Sequence, residues 1–534
     1  MSNNPTREQQ AAIEHLGNAV VTARPGSGKT FTLVRMIARE ASDLLSYQGI
    51  IAISYTNKAS DELEERCDSF GVNRASSFFG TIDKFCISEI ISPFISHISG
   101  RSADFKVIEN NDCSEWSQLA KLPLYDNDVR AFLRESLLAG SIPIGAIGPA
   151  ALYILDTVPQ ARIYISSRYT SVFIDEYQDC GLCQHLVFKK LISCGLRGVV
   201  VGDIDQAIFR FADKSPDYLI ELIRKEGFQH FKLTRNHRCD NSIQAYSLAL
   251  LKIPSEPIDR LDRRVFAIHV QGDETALAKG IAANIDAIMK KYDVDCRSKV
   301  ALIGAGNATL DLFSAKIGIP SKQYVNTPLD SGFSKWRHVF SGLLASYYDG
   351  AHFSGDFIDR YLSNESKRSV RNQGLELLDK FFSLSEDELA NSSDLAISIA
   401  RICEPDTEKE GDVEAYQNTI KDLHLLRGGF RPAQQNEINI LSYHKAKGLE
   451  FDIVFCLETY QFIMPPYKYD EQLYDAYGQA LAMHYVGLTR AKKACYVMLG
   501  SQRHNARGEI KDAYPSEFLN FPGLRELRIE NQWE

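Results

Sequence analysis

The chain has 534 residues, of which 44% are hydrophobic and 24% are charged, and its net charge is −9. This length predicts three or four folded units, whereas the negative charge argues against a protein that coats nucleic acid through a broad basic face. The N-terminus lacks the pattern of an export signal and no apolar run of about 18 residues occurs, so we expect a cytoplasmic protein without a membrane segment.

Short apolar segments recur along the chain, and each precedes a Gly-rich or polar turn and a helical stretch. This alternation predicts an α/β protein with parallel sheets, because strands that helices cover on both faces are apolar throughout. The predicted strands are Ala19–Thr22, Ile50–Ser54, Ser171–Ile174, Gly198–Val201, Val300–Ile303, Ile438–Leu441 and Ile453–Leu457. They form two groups, the first ending near Asp213 and the second beginning near Phe231. Between strands, Ile87–Tyr169 and Lys335–Pro432 are predicted to be mostly helical insertions.

The first predicted strand runs directly into a Gly-rich loop, Ala23-Arg24-Pro25-Gly26-Ser27-Gly28-Lys29-Thr30, and a helical stretch follows. This is a Walker A loop with Ala in place of the first glycine. In such a loop, backbone N–H groups bind phosphate oxygens at the N-terminus of a helix. We therefore expect Lys29 to reach the β- and γ-phosphates of ATP and the Thr30 hydroxyl to bind Mg²⁺. A chance Gly-rich turn is the alternative, and the strand–loop–helix context disfavours it.

A second apolar strand runs into the acidic motif Asp175-Glu176-Tyr177-Gln178-Asp179. The carboxyl ends of parallel strands are where α/β proteins bind ligands. Asp175 is positioned to hold Mg²⁺, and Glu176 to take a proton from the attacking water. An acidic surface turn is the alternative interpretation, but it is weakened by the Walker A loop in the same chain.

Further segments resemble the motifs of one helicase family. They are Thr6–Gln9, Ser54–Ala59, Gly80–Phe85, Val201–Gln206, Leu233–Arg238, Ser442–Phe451, Val486–Ala491 and Pro515–Leu519. With the acidic motif, and in this order, they resemble the UvrD/Rep/PcrA group of superfamily 1 helicases. The resemblance implies an α/β fold with two RecA-like P-loop domains, each carrying a helical insertion. The implied division is 1–86 with 170–230 for the first RecA-like domain, 87–169 for its insertion, 231–334 with 433–534 for the second, and 335–432 for a reduced insertion.

The resemblance also assigns roles in ATP binding. It implies adenine recognition by Gln9, base stacking by His237, ribose binding by Glu450, γ-phosphate sensing by Gln206, and arginine fingers at Arg238 and Arg490. A guanidinium suits the last role because the phosphoryl transition state spreads negative charge that its fork can bind. Placing both arginines on the second domain would make domain closure depend on ATP. Phe31 stands where the family usually has an arginine.

A single DNA strand is the second ligand that the resemblance implies. The residues expected to contact it are Tyr55, Thr56, Asn57, Thr81, Phe209, Phe211, His444 and Lys447. Phe209 and Phe211 would stack on bases, a contact that tolerates any sequence, and two core phenylalanines are the alternative. This chain departs from the family pattern at three places: Asp83 replaces a histidine, Ala212 an arginine, and Gln479-Ala480 an acidic pair.

These observations predict an ATP- and Mg²⁺-dependent translocase or helicase that moves along single-stranded DNA, in DNA repair or anti-phage defence. The alternative is a nucleotide-sensing DNA-binding subunit that regulates a partner nuclease. A small-molecule kinase or GTPase explains neither the DNA-facing motifs nor the second RecA-like domain.

The chain is also similar in size and layout to the compact helicase subunits of the Gabija anti-phage system, which work with an OLD-type nuclease. We therefore expect a nuclease of that type as a protein partner. The two insertions are shorter than those of the larger helicases that the chain resembles. Because those insertions contact duplex DNA, we expect the isolated chain to unwind duplexes poorly.

Overall fold

The computed structural model describes residues 4–534 with gaps at 73–75, 101–104, 109, 111–112, 210–213, 256, 332–333, 351–353, 363–367, 406–409, 467–472 and 506. Among the helices of these described residues, none combines the length and the apolar character that a membrane span requires.

The described strands are short and mostly apolar. In chain order they are β1 (Asn18–Ala23), β2 (Gly49–Ile53), β3 (Phe78–Gly80), β4 (Lys106–Ile108), β5 (Ser141–Pro143), β6 (Tyr169–Ile174), β7 (Arg197–Gly202), β8 (Phe228–Leu233), β9 (Val265–Val270), β10 (Val300–Gly304), β11 (Ser321–Gln323), β12 (Ile438–Ser442), β13 (Phe451–Cys456), β14 (Ala491–Gly500), β15 (Gln502–His504), β16 (Ile510–Asp512) and β17 (Ile529–Trp533). All seven strands predicted from the sequence are present.

The helices cover the faces of the sheets or form the two insertions. They are α1 (Arg7–Glu14), α2 (Lys29–Ala41), α3 (Asn57–Ser69), α4 (Ile82–Phe85), α5 (Ser92–Ser99), α6 (Ser114–Leu119), α7 (Asn127–Ala139), α8 (Ile147–Thr157), α9 (Pro159–Arg168), α10 (Leu182–Ser193), α11 (Asp217–Arg224), α12 (Asn241–Leu250), α13 (Glu274–Lys291), α14 (Asn307–Lys316), α15 (Lys335–Asp349), α16 (Ser354–Tyr361), α17 (Arg368–Phe382), α18 (Glu386–Leu389), α19 (Ser393–Cys403), α20 (Glu410–Lys421), α21 (Leu423–Phe430), α22 (Tyr443–Ala446) and α23 (Leu473–Thr489). A π-helical segment, Cys86–Ile91, joins α4 to α5.

The first sheet, within the described chain, has six parallel strands in the order β3-β2-β6-β7-β1-β8. Its inner strands are buried along their length because helices pack on both faces. β8 pairs with β1 through the register Val21 to Phe231. The prediction that the second sheet begins near Phe231 is therefore wrong. As an edge strand β8 is only partly buried, so it lacks the continuous apolar run by which β1, β2, β6 and β7 were predicted.

The second sheet has the order β11-β12-β10-β13-β14-β9-β17 over the described residues. Strands β11, β12, β10 and β13 pair in parallel, as do β14, β9 and β17. Together with the first sheet, this confirms the predicted α/β fold with parallel sheets.

Both predicted insertions are mostly helical. The segment between β3 and β6 contains α4 to α9 and the small β4–β5 pair, and Phe132 and Leu155 belong to its core. The second insertion consists of α15 to α21 around a core that contains the fully buried Trp336 and Phe340. Each insertion therefore buries apolar side chains of its own.

The chain divides into two compact units. The first unit comprises Met1–Arg263, Gln461–Lys492 and Ser516–Leu527, and the second comprises Arg264–Tyr460, Lys493–Pro515 and Arg528–Glu534. This division differs from the predicted one, because the segment after β8 and the helix α23 belong with the first sheet. Arg238 and Arg490, which we expected in the second domain, consequently lie in the first unit with the Walker A loop.

Candidate nucleotide and DNA sites

The Walker A loop connects β1 to α2, which begins at Lys29. Gly26 and Gly28 adopt φ angles of 74° and 81°, in the left-handed region that favours glycine. A Cβ on Gly26 would also lie 2.6 Å from Cβ of Arg238, so this position has no room for a side chain. The loop thus ends at the N-terminus of a 13-residue helix, where backbone N–H groups and the helix dipole favour phosphate.

Lys29 forms an ion pair with the acidic motif at the end of β6. Its Nζ lies 2.6 Å from Oε1 of Glu176. Burial acts to lower the pKa of Lys29, but the carboxylates of Glu176, Asp175 and Asp203 outweigh it and raise that pKa. Lys29 therefore stays charged at the place where the sequence predicts the phosphates.

Asp175 and Asp203 are buried carboxylates at the ends of neighbouring strands β6 and β7. Burial and the adjacent Glu176 carboxylate raise the pKa of Asp175 to about 6, although Lys29 acts in the opposite direction. Burial and Asp205 raise the pKa of Asp203 to about 6 as well. A cluster of oxygen ligands with unbalanced negative charge fits a hard divalent cation such as Mg²⁺. Thr30, the other predicted magnesium ligand, is the second residue of α2.

The backbone of Glu176 adopts φ 52°, a left-handed conformation that is uncommon for residues other than glycine. Its N–H donates to Oδ1 of Asp175 at 2.9 Å, which helps to hold this conformation. Strained backbone of this kind costs roughly 1–3 kcal/mol and occurs often at active sites. The sharp turn directs the Glu176 carboxylate toward Lys29.

A buried hydrogen-bond network extends from the acidic motif to α23. Gln206 donates from Nε2 to Asp203 at 2.6 Å and accepts from Nη2 of Arg490 at 3.0 Å. Arg490 is 2% exposed, and it also donates to the carbonyl of Val486 at 3.0 Å. Burial and the neighbouring Arg238 lower the pKa of Arg490 to about 10, which leaves it charged at neutral pH. The structure thus brings the predicted γ-phosphate sensor and one predicted arginine finger into direct contact.

Arg238 and His237 adjoin the Walker A loop. The N–H of His237 donates to the carbonyl of Gly26 at 2.8 Å, and Cβ of Arg238 lies close to the same glycine. Asn236 shapes this turn, because its Oδ1 accepts from the N–H of Arg238 at 3.0 Å. The His237 side chain is exposed, which leaves it accessible to a ligand at the loop.

Gln9 also contacts the Walker A loop. Its Oε1 accepts from the N–H of Thr6 at 2.8 Å, and its Nε2 donates to the carbonyl of Ser27 at 3.0 Å. A primary amide has two N–H donors and two lone pairs, so one of each remains after these two bonds. These are the groups that an adenine edge requires. Close by, the guanidinium of Arg35 stacks 3.5 Å from the ring centroid of Phe31, the residue that replaces the usual arginine.

Tyr55 and Phe209, two of the predicted DNA-contacting residues, form a ring pair with centroids 5.4 Å apart. Thr56 caps α3 by accepting from the N–H of Ala59 at 3.1 Å, and the buried Thr81 caps α4. These capping bonds give both threonines a structural role. Asn57 begins α3, but its side chain is not among those described, and Phe211 lies outside the described residues.

Lys214 is a residue at this site that the sequence motifs did not indicate. Its Nζ lies 5.5 Å from the ring centroid of Tyr55 and 3.2 Å from Oε1 of Gln184. It also acts on Asp83, the residue that replaces the family's histidine. Burial raises the pKa of Asp83, and the positive charge of Lys214 opposes that rise. A hint was available in the sequence, because Lys214 follows Ala212, where the family's arginine is missing.

Comparisons with known proteins identify the family of the chain. Residues 5–142 and 147–225 match the model of the UvrD/REP helicase N-terminal domain, and residues 356–502 match the model of the UvrD-like helicase C-terminal domain. The chain belongs to the UvrD-like helicase family. As a member of this family it is an ATP-dependent DNA helicase and hence an ATP hydrolase.

Three relatives illustrate the range of the family. The Gabija protein GajB of Bacillus cereus is 35% identical over 45% of this chain and 48% of its own length, so that match spans about half of each protein. A probable DNA helicase II homologue of Rickettsia conorii is 22% identical over 96% of this chain and 95% of the relative. The ATP-dependent DNA helicase PcrA of Bacillus subtilis is 21% identical over 94% of this chain and 83% of the relative.

The helicase motif in the second unit surrounds the short helix α22. His444 lies in that helix, Lys447 follows it, and Gly448 makes a left-handed turn at φ 86° before the exposed Glu450. Ser442 caps the helix by accepting from the N–H of Lys445. The roles of His444, Lys447 and Glu450 toward ATP or DNA stay predictions.

The second unit also contains a filled anion site that the motifs did not indicate. The carboxylate of Glu458 accepts from the N–H groups of Ala305 and Gly306 at 2.6 and 2.8 Å and from Oγ1 of Thr309 at 2.7 Å. These donors lie at the N-terminus of α14, after β10. Glu458 thus occupies, beside the second sheet, a position at a helix N-terminus that favours an anion.

Proposed function

We propose that this helicase is a motor that moves along single-stranded DNA, driven by ATP hydrolysis at the Walker A loop, and that it serves a nuclease partner. The observation that carries the proposal is the buried network that joins Lys29, the acidic motif, Gln206 and Arg490 within one compact unit.

The nucleotide site would bind ATP with its phosphates on the N-terminus of α2 and its base between Gln9 and His237. The loop residues Ala23, Arg24, Pro25, Gly26, Ser27, Gly28, Lys29 and Thr30 would surround the phosphates. Mg²⁺ held by Thr30 and Asp175 would neutralise charge on the β- and γ-phosphates.

The catalytic step would begin when Lys29 turns from Glu176 to the phosphates. The ammonium that pairs with Glu176 at 2.6 Å is the same group that phosphate oxygens would attract. Its departure would let the Glu176 carboxylate accept a proton from the attacking water. Arg490 and Arg238 would stabilise the charge that develops on the transferred phosphoryl group, with Gln206 sensing it.

The DNA-binding site would centre on the ring pair of Tyr55 and Phe209, with Lys214 above the ring of Tyr55. Aromatic faces stack on any base, and an adjacent cation binds the phosphate backbone, which is the combination that sequence-independent single-strand binding requires. Phe209 is three residues from Gln206, so a base that displaces Phe209 would move the segment that senses the γ-phosphate. This short connection would couple DNA binding to hydrolysis.

The partner would be a nuclease, of the OLD type, in anti-phage defence. The support is the 35% identity to the Gabija protein GajB, higher than the identity to either of the two other relatives described above. A stable complex buries roughly 1,200–2,000 Å², and we assign this contact to the two helical insertions.

A nucleotide-sensing DNA-binding subunit that regulates the nuclease without translocating is the second candidate, and the same match favours it. Assays of duplex unwinding and ATP hydrolysis on the purified chain distinguish the motor from the sensing subunit. A motor unwinds tailed duplexes, although weakly for long ones, whereas DNA-stimulated hydrolysis without unwinding or movement along single strands would indicate the sensing subunit. Processive unwinding at the full ATPase rate, with no partner present, would contradict the need for a partner.

A further inference from the structure

Gln178 of the acidic motif connects the two strand ends that carry the catalytic groups. It is 0% exposed. Its Nε2 donates to Oε2 of Glu176, and its Oε1 accepts from the N–H of Asp203 at 2.9 Å. The residues of this bridge lie at the ends of β6 and β7, and Asp203 begins the segment that ends at Gln206.

The direction of the Gln178 amide follows from chemistry. A backbone N–H can only donate, so the group that faces Asp203 must be the amide oxygen. The amide nitrogen then faces Glu176, whose ionised carboxylate can only accept. A side chain with an acceptor at one branch and a donor at the other is therefore required, and glutamine meets the requirement without taking up a proton.

Gly202, at the end of the neighbouring strand β7, leaves room for this side chain. A Cβ on Gly202 would lie 2.6 Å from Oε1 of Gln178. Tyr177, the residue before Gln178, is held in place because its hydroxyl lies 2.9 Å from Nδ1 of the buried His185. The position of the Gln178 amide is thus determined by packing from both strands.

We propose that Gln178 is a positioning residue, which holds the Glu176 carboxylate at a fixed position relative to the Asp203–Gln206 segment. It touches neither phosphate nor water in this role, and it acts through Glu176. The inference rests on the proposed function, because it takes Glu176 as the group that accepts the proton. In this arrangement, movement of the γ-phosphate sensor is transmitted to the catalytic carboxylate through one amide.

The substitution that tests the role is Gln178→Glu. It keeps an oxygen for the N–H of Asp203, and it replaces the amide donor that faces Glu176 with a second carboxyl oxygen. Loss of a hydrogen bond to a charged group should lower kcat roughly 10- to 100-fold. The affinity for a non-hydrolysable ATP analogue should stay within about threefold of the parental value, because the phosphate donors are unchanged.

A double-mutant cycle separates positioning from a structural role. If Gln178 acts through Glu176, then adding Gln178→Glu to Glu176→Gln should change the residual single-turnover rate by less than about twofold. A repeat of the full loss in that background would overturn the inference. So would a parental rate for Gln178→Glu alone. The variant Gln229→Glu introduces the same charge at an exposed position of β8 and should behave like the parent.

The two proposals fail differently in this experiment. Parental hydrolysis by Glu176→Gln would remove the proposed role of Glu176 and the inference with it. Inactive Glu176→Gln together with fully active Gln178→Glu would leave the proposed function standing and reject only the role of Gln178. A fall in melting temperature of Gln178→Glu by several degrees, with loss of analogue binding, would also reject it in favour of a structural role.

Discussion

The Arg490 guanidinium donates a 3.0 Å hydrogen bond to Oε1 of Gln206, inside the compact unit that contains the Walker A loop. The predicted arginine finger and the predicted γ-phosphate sensor are therefore already joined. Arg490 is held by further bonds to Val486 and Thr489, so its position depends on the last turn of α23.

This contact leads to a prediction for Arg490→Lys. Lysine keeps the positive charge but lacks the planar fork, and it cannot reach Gln206 and a phosphoryl group together. We expect a loss of about 10³-fold in kcat with little change in analogue affinity, measured by steady-state hydrolysis and equilibrium binding. Arg224→Lys, on the exposed side of α11, is the matched control. Equal activity of the two variants would exclude Arg490 from the reaction.

Lys29→Ala and Glu176→Gln should both abolish ATP hydrolysis, but for different reasons. Lys29 contacts phosphate in the proposed site, so its removal should weaken ATP binding. Glu176 acts on water, so Glu176→Gln should bind ATP at least as tightly as the parent and retain it. Filter binding of labelled ATP distinguishes the two. If Glu176→Gln hydrolysed ATP at the parental rate, the assignment of the base would be wrong.

Phe209→Ala should weaken single-strand binding, because the Phe209 ring pairs with Tyr55 at the proposed DNA-binding site. A stacked base contributes about 1–3 kcal/mol, which corresponds to roughly 5- to 150-fold in Kd. Fluorescence anisotropy with an oligothymidylate measures this change. A core role for Phe209 would instead lower the melting temperature by several degrees, as Phe188→Ala should do at a fully buried position.

Lys214→Met should reduce the salt dependence of single-strand binding. Loss of one phosphate contact lowers the slope of log K against log salt by about 0.7 for single strands. Lys189→Met is the control, since the Lys189 ammonium already pairs with the Glu221 carboxylate at 2.9 Å. If the two variants show the same slope as the parent, Lys214 does not contact the DNA backbone.

Much of the fold could be predicted from the sequence because the buried strands are continuous apolar runs. Strand β6 is buried and apolar, and the polar residues Asp175 and Glu176 follow it directly. This pattern can be recognised from the local sequence alone. Edge strands such as β8 were not predicted, since Phe228–Leu233 mixes apolar and polar residues without a continuous apolar run.

The remaining parts of the site depend on contacts between distant residues. Gln178 and Asp203 are 25 residues apart, and their hydrogen bond follows from the packing of β6 against β7. The membership of Arg490 in the first unit likewise depends on how α23 packs, with Val486 beside Ile208. No local sequence pattern encodes these choices.

In the proposed function, hydrolysis at the Walker A loop drives movement along single-stranded DNA. Streptavidin displacement from single strands biotinylated at either end, by the purified chain without other proteins, measures that movement directly. We expect ATP-dependent displacement from one end, absent in Glu176→Gln and reduced in Phe209→Ala. DNA-stimulated hydrolysis with no displacement from either end would exclude a motor and would favour a nucleotide-sensing subunit.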